Sequence, residues 1–156
     1  MGEEAKFKYR AIVIDDMDFC RELLTDFLQD RGYQVISFPD PTTCPLFPAR
    51  QSECPKQFAC ADFLLTDNRM PHLAGVDFLE LQAQGKCKIE VSRKAILSAY
   101  WTVEDLSRVE QLGCRSVSKP YDLKRLGSWL DSQEALISEN RQLTELCESM
   151  RTRKIK

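Results

Sequence analysis

The chain has 156 residues, a formal net charge of −2, 43% hydrophobic and 29% charged residues. That is one domain's length with enough apolar residues for a core, and its charge excludes a strongly basic nucleic-acid binder. The opening MGEEAKFKYR is charged and the following AIVI is too short for a signal sequence or membrane span, so a cytoplasmic protein without a membrane contact is expected.

RAIVIDD predicts a first strand, apolar from Ala11 to Ile14 and then abruptly acidic. DFCRELLTDFLQDRG has helical periodicity: Phe19, Leu23, Leu24, Phe27 and Leu28 share a face, Asp18 is placed to cap the start, and Gly32 stops it. YQVISF predicts a second strand. In the segment 39–60, Pro39, Pro41, Pro45, Pro48 and Pro55 leave room only for a short, broken helix near 43–51. ADFLLTD predicts a third strand. LAGVDFLELQAQG predicts a helix from about Ala74, with Val76, Phe78, Leu79 and Leu81 apolar and Gly85 at its end. KAILSAY is a fourth strand, and TVEDLSRVEQLG a helix with Thr102 as N-cap and Glu104 and Asp105 in its first turn. CRSVS is a short fifth strand closed by Lys119-Pro120, and a final helix starts near Asp122.

Strands that alternate with helices, in apolar runs that barely alternate, imply a parallel sheet covered on both faces. The expectation is a five-stranded doubly wound α/β domain over residues 7–131, with helices on both faces and a C-terminal helical extension over 132–156. Right-handed crossovers put the C-terminal strand ends on one edge, where sites form.

The seven cysteines are Cys20, Cys44, Cys54, Cys60, Cys87, Cys114 and Cys147. An odd count without a CxxC pair argues against a secreted disulfide framework. Cys44, Cys54 and Cys60 match no strong zinc spacing, and a fourth ligand would have to be Cys87, Cys114 or His72. The cysteines are read as buried or incidental thiols, and His72 as an exposed loop residue.

Asp15 and Asp16 end the first strand, Asp67 the third and Ser98 the fourth, and Lys119 follows the fifth. Clustered carboxylates without thiolate or imidazole suit a hard cation, Mg2+ or Mn2+. Lys119 adds a mobile positive charge, so the pocket favours an incoming phosphoryl group with one carboxylate as nucleophile. Ser98 is suited to bond one of the phosphoryl oxygens after transfer.

The order and spacing of IDD at 14–16, DNRMPHLAG at 67–75, LSA at 97–99 and SKP at 118–120 resemble the receiver domain of two-component response regulators of the chemotaxis-regulator type. The resemblance spans roughly Tyr9 to Asp131. It implies a flavodoxin-like strand order of 2-1-3-4-5 and phosphorylation of Asp67 by a sensor histidine kinase or phosphotransfer protein. It also implies Mg2+ held by Asp15, Asp16, Asp67 and the backbone carbonyl of Arg69. Ser98 matches the switch hydroxyl and Lys119, before a commonly cis Pro120, the lysine that binds phosphoryl oxygens. Such a domain assists its own phosphorylation and dephosphorylation but is not a turnover enzyme.

Three features depart from the family pattern. Ser116 stands where an aromatic switch residue is usual. Arg69 and Tyr100 occupy the variable positions that flank the path of an attacking water, which predicts slow hydrolysis. The Pro- and Cys-rich segment 39–60 is longer and more irregular than a plain second helix and reads as a surface insertion.

Toward the C-terminus, Trp129, Leu136, Leu143 and Met150 recur at seven-residue intervals, with Leu126, Gln133, Asn140 and Cys147 each three positions earlier. That heptad predicts a continuous helix and a parallel coiled-coil homodimer, with Asn140 setting register. The basic RTRKIK is read as a solvated helix end, with no nucleic-acid binding. The alternatives are a phosphorylation-independent pseudo-receiver and a Mg2+-dependent aspartyl-phosphate phosphatase. The phosphatase would need a carboxylate two residues past its nucleophile, where this chain has Arg69. No output motif follows residue 131.

Overall fold

In β1 (Tyr9–Ile14) successive side chains go to opposite faces of the sheet: Ala11 and Val13 enter one core, Ile12 and Ile14 the other. The computed structural model describes residues 7–44, 46, 53–71 and 73–145. β2 (Tyr33–Phe38) divides in the same way, Tyr33 and Val35 against Ile36 and Phe38. So do β3 (Phe63–Asp67), with Phe63 and Leu65 opposed to Leu64, and β4 (Lys94–Ser98), with Ala95 and Leu97 opposed to Ile96. Strands apolar on both faces need a cover on each. α1 (Asp18–Asp30) and α4 (Leu123–Glu134) cover one face through Leu24, Leu28, Leu126, Trp129 and Leu130. α2 (Gly75–Gln84) and α3 (Val103–Leu112) cover the other through Val76, Phe78, Leu79 and Val109. β5 (Arg115–Ser118) closes one edge, and the parallel order is β2-β1-β3-β4-β5, as expected.

The helix caps follow local chemistry. The Thr102 side chain accepts from the Asp105 N–H at 2.9 Å, and Asp122 accepts from the Arg125 N–H at 3.1 Å. α1 differs from expectation: Met17 is its N-cap and makes no side-chain cap bond, while Asp18 lies in the first turn. Phe19 is 76% exposed and Leu23 38%, so only the Leu24–Leu28 part of the expected stripe is fully buried.

The β2-to-β3 crossover has one short 3-10 turn, Pro41–Thr43, in which the Asp40 side chain accepts from the Thr42 N–H. Most of the expected helix near 43–51 lies outside the described residues. The six described cysteines are free thiols of intermediate burial, and burial pushes Cys60 and Cys114 up to about 11.

The C-terminal segment departs most from the sequence reading. α4 ends at Glu134, held to α1 by Arg31, which pairs with Asp131 at 2.6 Å and Glu134 at 3.1 Å. The chain then turns, and residues 141–145 run extended beside the crossover, with a parallel bridge between Leu143 and Ala59. The expected continuous helix therefore does not run through 135–145, where the heptad spacing is not carried on a helix. Trp129 is committed to the domain's own core, edge-on to Phe63 at 5.7 Å, and Leu136 is 74% exposed. The heptad positions Cys147 and Met150 and the basic RTRKIK lie outside the described residues. Arg141 anchors the strap instead, donating to Asp62 at 2.8 and 2.6 Å, while Arg10 donates to the Thr144 carbonyl at 2.7 Å. Among the described residues no helix is long and apolar enough to cross a membrane.

Asp62 is 1% exposed, so removing its guanidinium partner leaves a buried carboxylate short of hydrogen bonds. Arg141→Ala is expected to lower stability by about 2 kcal/mol, read from the urea denaturation midpoint at unchanged slope.

Candidate functional site

Register builds the site. The last β1–β3 pair is Ile14 with Thr66, so Asp15 and Asp67 stand level one residue further on. The β4–β5 ladder ends on Ser98 and Ser118, and the Lys119 N–H donates to the Ser98 carbonyl at 2.9 Å. Asp15 continues the alternation of Ala11 and Val13, Asp67 that of Phe63 and Leu65, and Lys119 that of Val117. The periodicity that buries those apolar residues on the α1–α4 side aims all three polar side chains the same way.

Lys119 Nζ spans the gap, 3.0 Å from Asp15 Oδ2 and 2.9 Å from Asp67 Oδ1. Asp15 is 0% and Asp67 4% exposed, whereas Asp16 is exposed at the rim. Each of the three carboxylates offers an oxygen within 4.8 Å of the others. The set is all oxygen, without thiol or imidazole, and fits a hard divalent cation such as Mg2+ or Mn2+. Asp15 Oδ1 also accepts from the Met17 N–H at 2.9 Å, and Arg21 donates to the Asp15 carbonyl at 2.6 Å.

These contacts set the charge state. Burial raises the Asp67 carboxyl above the usual carboxylate range and the Asp15 charge adds to this, while the hydrogen bond from Lys119 opposes it. Burial alone would lower the Lys119 ammonium; its hydrogen bonds to Asp67 and Asp15 outweigh that, and its pKa lies above the usual value.

Other expected site residues take up different positions. Ser98 is buried beside the cluster, but it belongs to the Ile96 alternation set, and its hydroxyl donates to the Tyr100 carbonyl at 2.7 Å. The Arg69 guanidinium lies over the Tyr100 ring, 5.3 Å from its centroid, and both residues are exposed. The Lys119-Pro120 bond is cis. Ser116 is exposed and pairs with Ile96, two residues short of the edge. His72 lies outside the described residues.

Two supports complete the site: Asn68, which was not read from the sequence, and Gly75, which the resemblance matches to a position that shapes the loop after Asp67. Asn68, directly after Asp67, caps α2 by accepting from the Val76 N–H at 3.0 Å and donates to Asp105 at 3.3 Å. Gly75 packs its backbone against β3: a Cβ there would lie 2.4 Å from the Asp67 carbonyl oxygen. The Asn beside the acceptor and the Gly opening the next helix were the available signals, but their partners depend on α2 folding back over the strand end.

No protein-family model and no curated protein sequence matches the chain. Solved structures do. Full-length FixJ from B. japonicum is 24% identical with a TM-score of 0.64, over 82% of this chain and 58% of that one. The non-phosphorylated HemR receiver domain from Leptospira biflexa is 22% identical with a TM-score of 0.60, covering 83% of this chain and 96% of that one. The Francisella response regulator 1452 receiver domain is 17% identical with a TM-score of 0.63, over 82% and 98% respectively. At these identities the likeness is one of fold: this chain has the fold of response-regulator receiver domains.

Proposed function

We propose that the chain is a phosphoryl-accepting receiver, in which Asp67 takes a phosphoryl group from the phosphohistidine of a sensor kinase or phosphotransfer protein. The observation that carries this is Lys119 bridging Asp15 and Asp67 at the C-terminal sheet edge, with Asp16 alongside. An Asp67 oxygen forms a bond to phosphorus as the phosphorus–nitrogen bond breaks; the imidazole nitrogen keeps the electron pair and takes a proton from solvent. Lys119 turns toward the phosphoryl oxygens, whose charge replaces that of the free carboxylate. Asp15, Asp16, Asp67 and the Arg69 carbonyl are the groups that would hold Mg2+, and the ion supplies positive charge against the transferred group.

Ser98 then exchanges its bond to the Tyr100 carbonyl for a phosphoryl oxygen. Release of Tyr100 acts on the two residues before Thr102, the cap of α3, so the signal is expressed at the start of that helix. With Ser116 exposed and small, this output does not need an aromatic ring moving inward at β5. The phosphatase alternative lacks its second carboxylate, since Arg69 stacks on Tyr100 in that place. The pseudo-receiver alternative is disfavoured by a full set of acidic residues and the lysine.

Incubation with Mg2+ and a small phosphoramidate donor is expected to add one phosphate to the intact mass, and Asp67→Ala to abolish it. A gain that persists in Asp67→Ala, or no gain in the wild type, overturns the assignment. The Arg69–Tyr100 stack screens the acyl phosphate from water, so Arg69→Ala and Tyr100→Ala should each shorten its lifetime about threefold to tenfold. Lifetimes unchanged by either substitution would remove that role.

Asp67 reacts as the carboxylate. Burial raises its pKa in the metal-free protein, so before a cation binds the acid limb of its titration lies at a higher pH than that of an ordinary aspartate. Lys119→Met removes the contact that opposes this rise and should move the acid limb further up, besides slowing the maximal rate. Initial rates of mass gain for both proteins across a pH series with one donor check the order.

A further inference from the structure

Cys44, Cys54, Cys60 and Cys87 come from the turn after β2, the crossover before β3 and the loop after α2, yet they line one cavity of about 130 Å3. It lies on the α2 side of the sheet, and Lys56 and Lys88 line it too. Main-chain bonds set the convergence. The Cys54 N–H donates to the Gly85 carbonyl at 2.7 Å and the Cys87 N–H to the Gln82 carbonyl at 2.9 Å. The Gln82 amide lies 3.8 Å from Cys44 Sγ. The remaining described cysteines, Cys20 and Cys114, are outside the cavity.

We propose that Cys44, Cys54, Cys60 and Cys87 form a tetrathiolate site for a thiophilic metal centre, zinc or an iron–sulfur cluster, that fixes the β2–β3 crossover against α2. Three observations support it. Four sulfurs around one cavity are the donor set that selects such metals over harder ions. The crossover is the one sheet connection on this face with no α-helix among its described residues, and a metal would add to the ties that the 141–145 strap and the Cys54–Gly85 bond already make. Four thiolates around a zinc ion carry a net charge of −2, which the Lys56 and Lys88 ammonium groups offset in part, the Glu145 carboxylate also lining the cavity.

Binding displaces the thiol protons to solvent and changes no oxidation state. Among the described residues no three sulfurs lie within 4.8 Å of one another. A single zinc ion, with zinc–sulfur bonds of about 2.3 Å, therefore draws the crossover inward, whereas a cluster spans a wider gap. The cysteine spacing matched no strong zinc pattern and left the fourth ligand open among Cys87, Cys114 and His72, because Cys87 lies beyond β3 and α2 in sequence and only the fold brings it to the other three.

The test uses the full chain isolated without oxygen or chelator, with zinc, iron and acid-labile sulfide measured per chain. After chelation and reduction, Co2+ is titrated and the sulfur-to-cobalt charge-transfer absorption read; alkylation of each cysteine is mapped by mass spectrometry with and without Zn2+. One zinc, or iron with matching sulfide, per chain supports the site and names its occupant. Joint protection of the four cavity cysteines is expected, with Cys20 and Cys114 unaffected. Cys60→Ser should weaken Co2+ binding at least about tenfold, and Cys20→Ser should leave it unchanged. Absence of both the charge-transfer absorption and joint protection in the wild type overturns the proposal. So does a disulfide between any two of the four in the anaerobic sample, or protection that survives Cys60→Ser. Phosphoryl gain at Asp67, read on the same samples, keeps this outcome separate from that of the receiver assignment.

Discussion

The structure turns on Lys119 standing between two buried carboxylates. Asp15 and Asp67 are level with one another at the ends of adjacent parallel strands, and neither has appreciable solvent around it. Without a cation between them, their repulsion and desolvation would oppose the register that buries the apolar residues just before them. Lys119 satisfies both at hydrogen-bond distance, and its own main chain is tied to the end of β4. The edge is stable with the lysine in place and still electrostatically loaded, which is the condition for a site that accepts an anion.

The same alternation explains why the loading is confined to one place. Each strand sends successive residues to opposite cores, so a polar residue can be accommodated only where the strand ends. Lys94 is the exception that fits the rule. It starts β4 at the opposite edge, is 2% exposed, and donates to Gln82 at 2.7 Å. The buried polar groups of the central strands thus lie at or one residue from a strand end, Arg10 and Thr66 included, and the middle of each central strand is apolar.

Where the connections are helices, the sheet faces are closed by aliphatic side chains at helical spacing. The β2–β3 crossover closes its part of the sheet with an irregular chain, a strap from residues 141–145 and a group of thiols. Arg141 and Thr144 tie that strap to Asp62, Phe58 and Ala59, so the segment after α4 serves the domain to which it belongs.

The sequence by itself determined the five strands, the four helices between and after them, their parallel order and the polar residues that meet at the C-terminal edge of the sheet. A period of 2 or 3.6 and a change from apolar to acidic are local signals that survive without coordinates. Asp15, Asp16, Asp67 and Lys119 were legible for that reason, and so was Thr102 as a cap. Tertiary structure alone decided the rest. Seven-residue spacing in the C-terminal segment looked like a seam, but Trp129 was taken by the domain's own core and Asp62 offered a buried carboxylate that Arg141 could reach only if the helix stopped. Phe19, expected on the helical stripe of Leu24 and Leu28, is nonetheless exposed. Ser98 bonds the Tyr100 backbone because its alternation set differs from that of the carboxylates. The four thiols share a cavity because α2 returns Cys87 to the crossover. Each of these outcomes depends on which distant group a side chain meets, and periodicity along the chain carries no information about that.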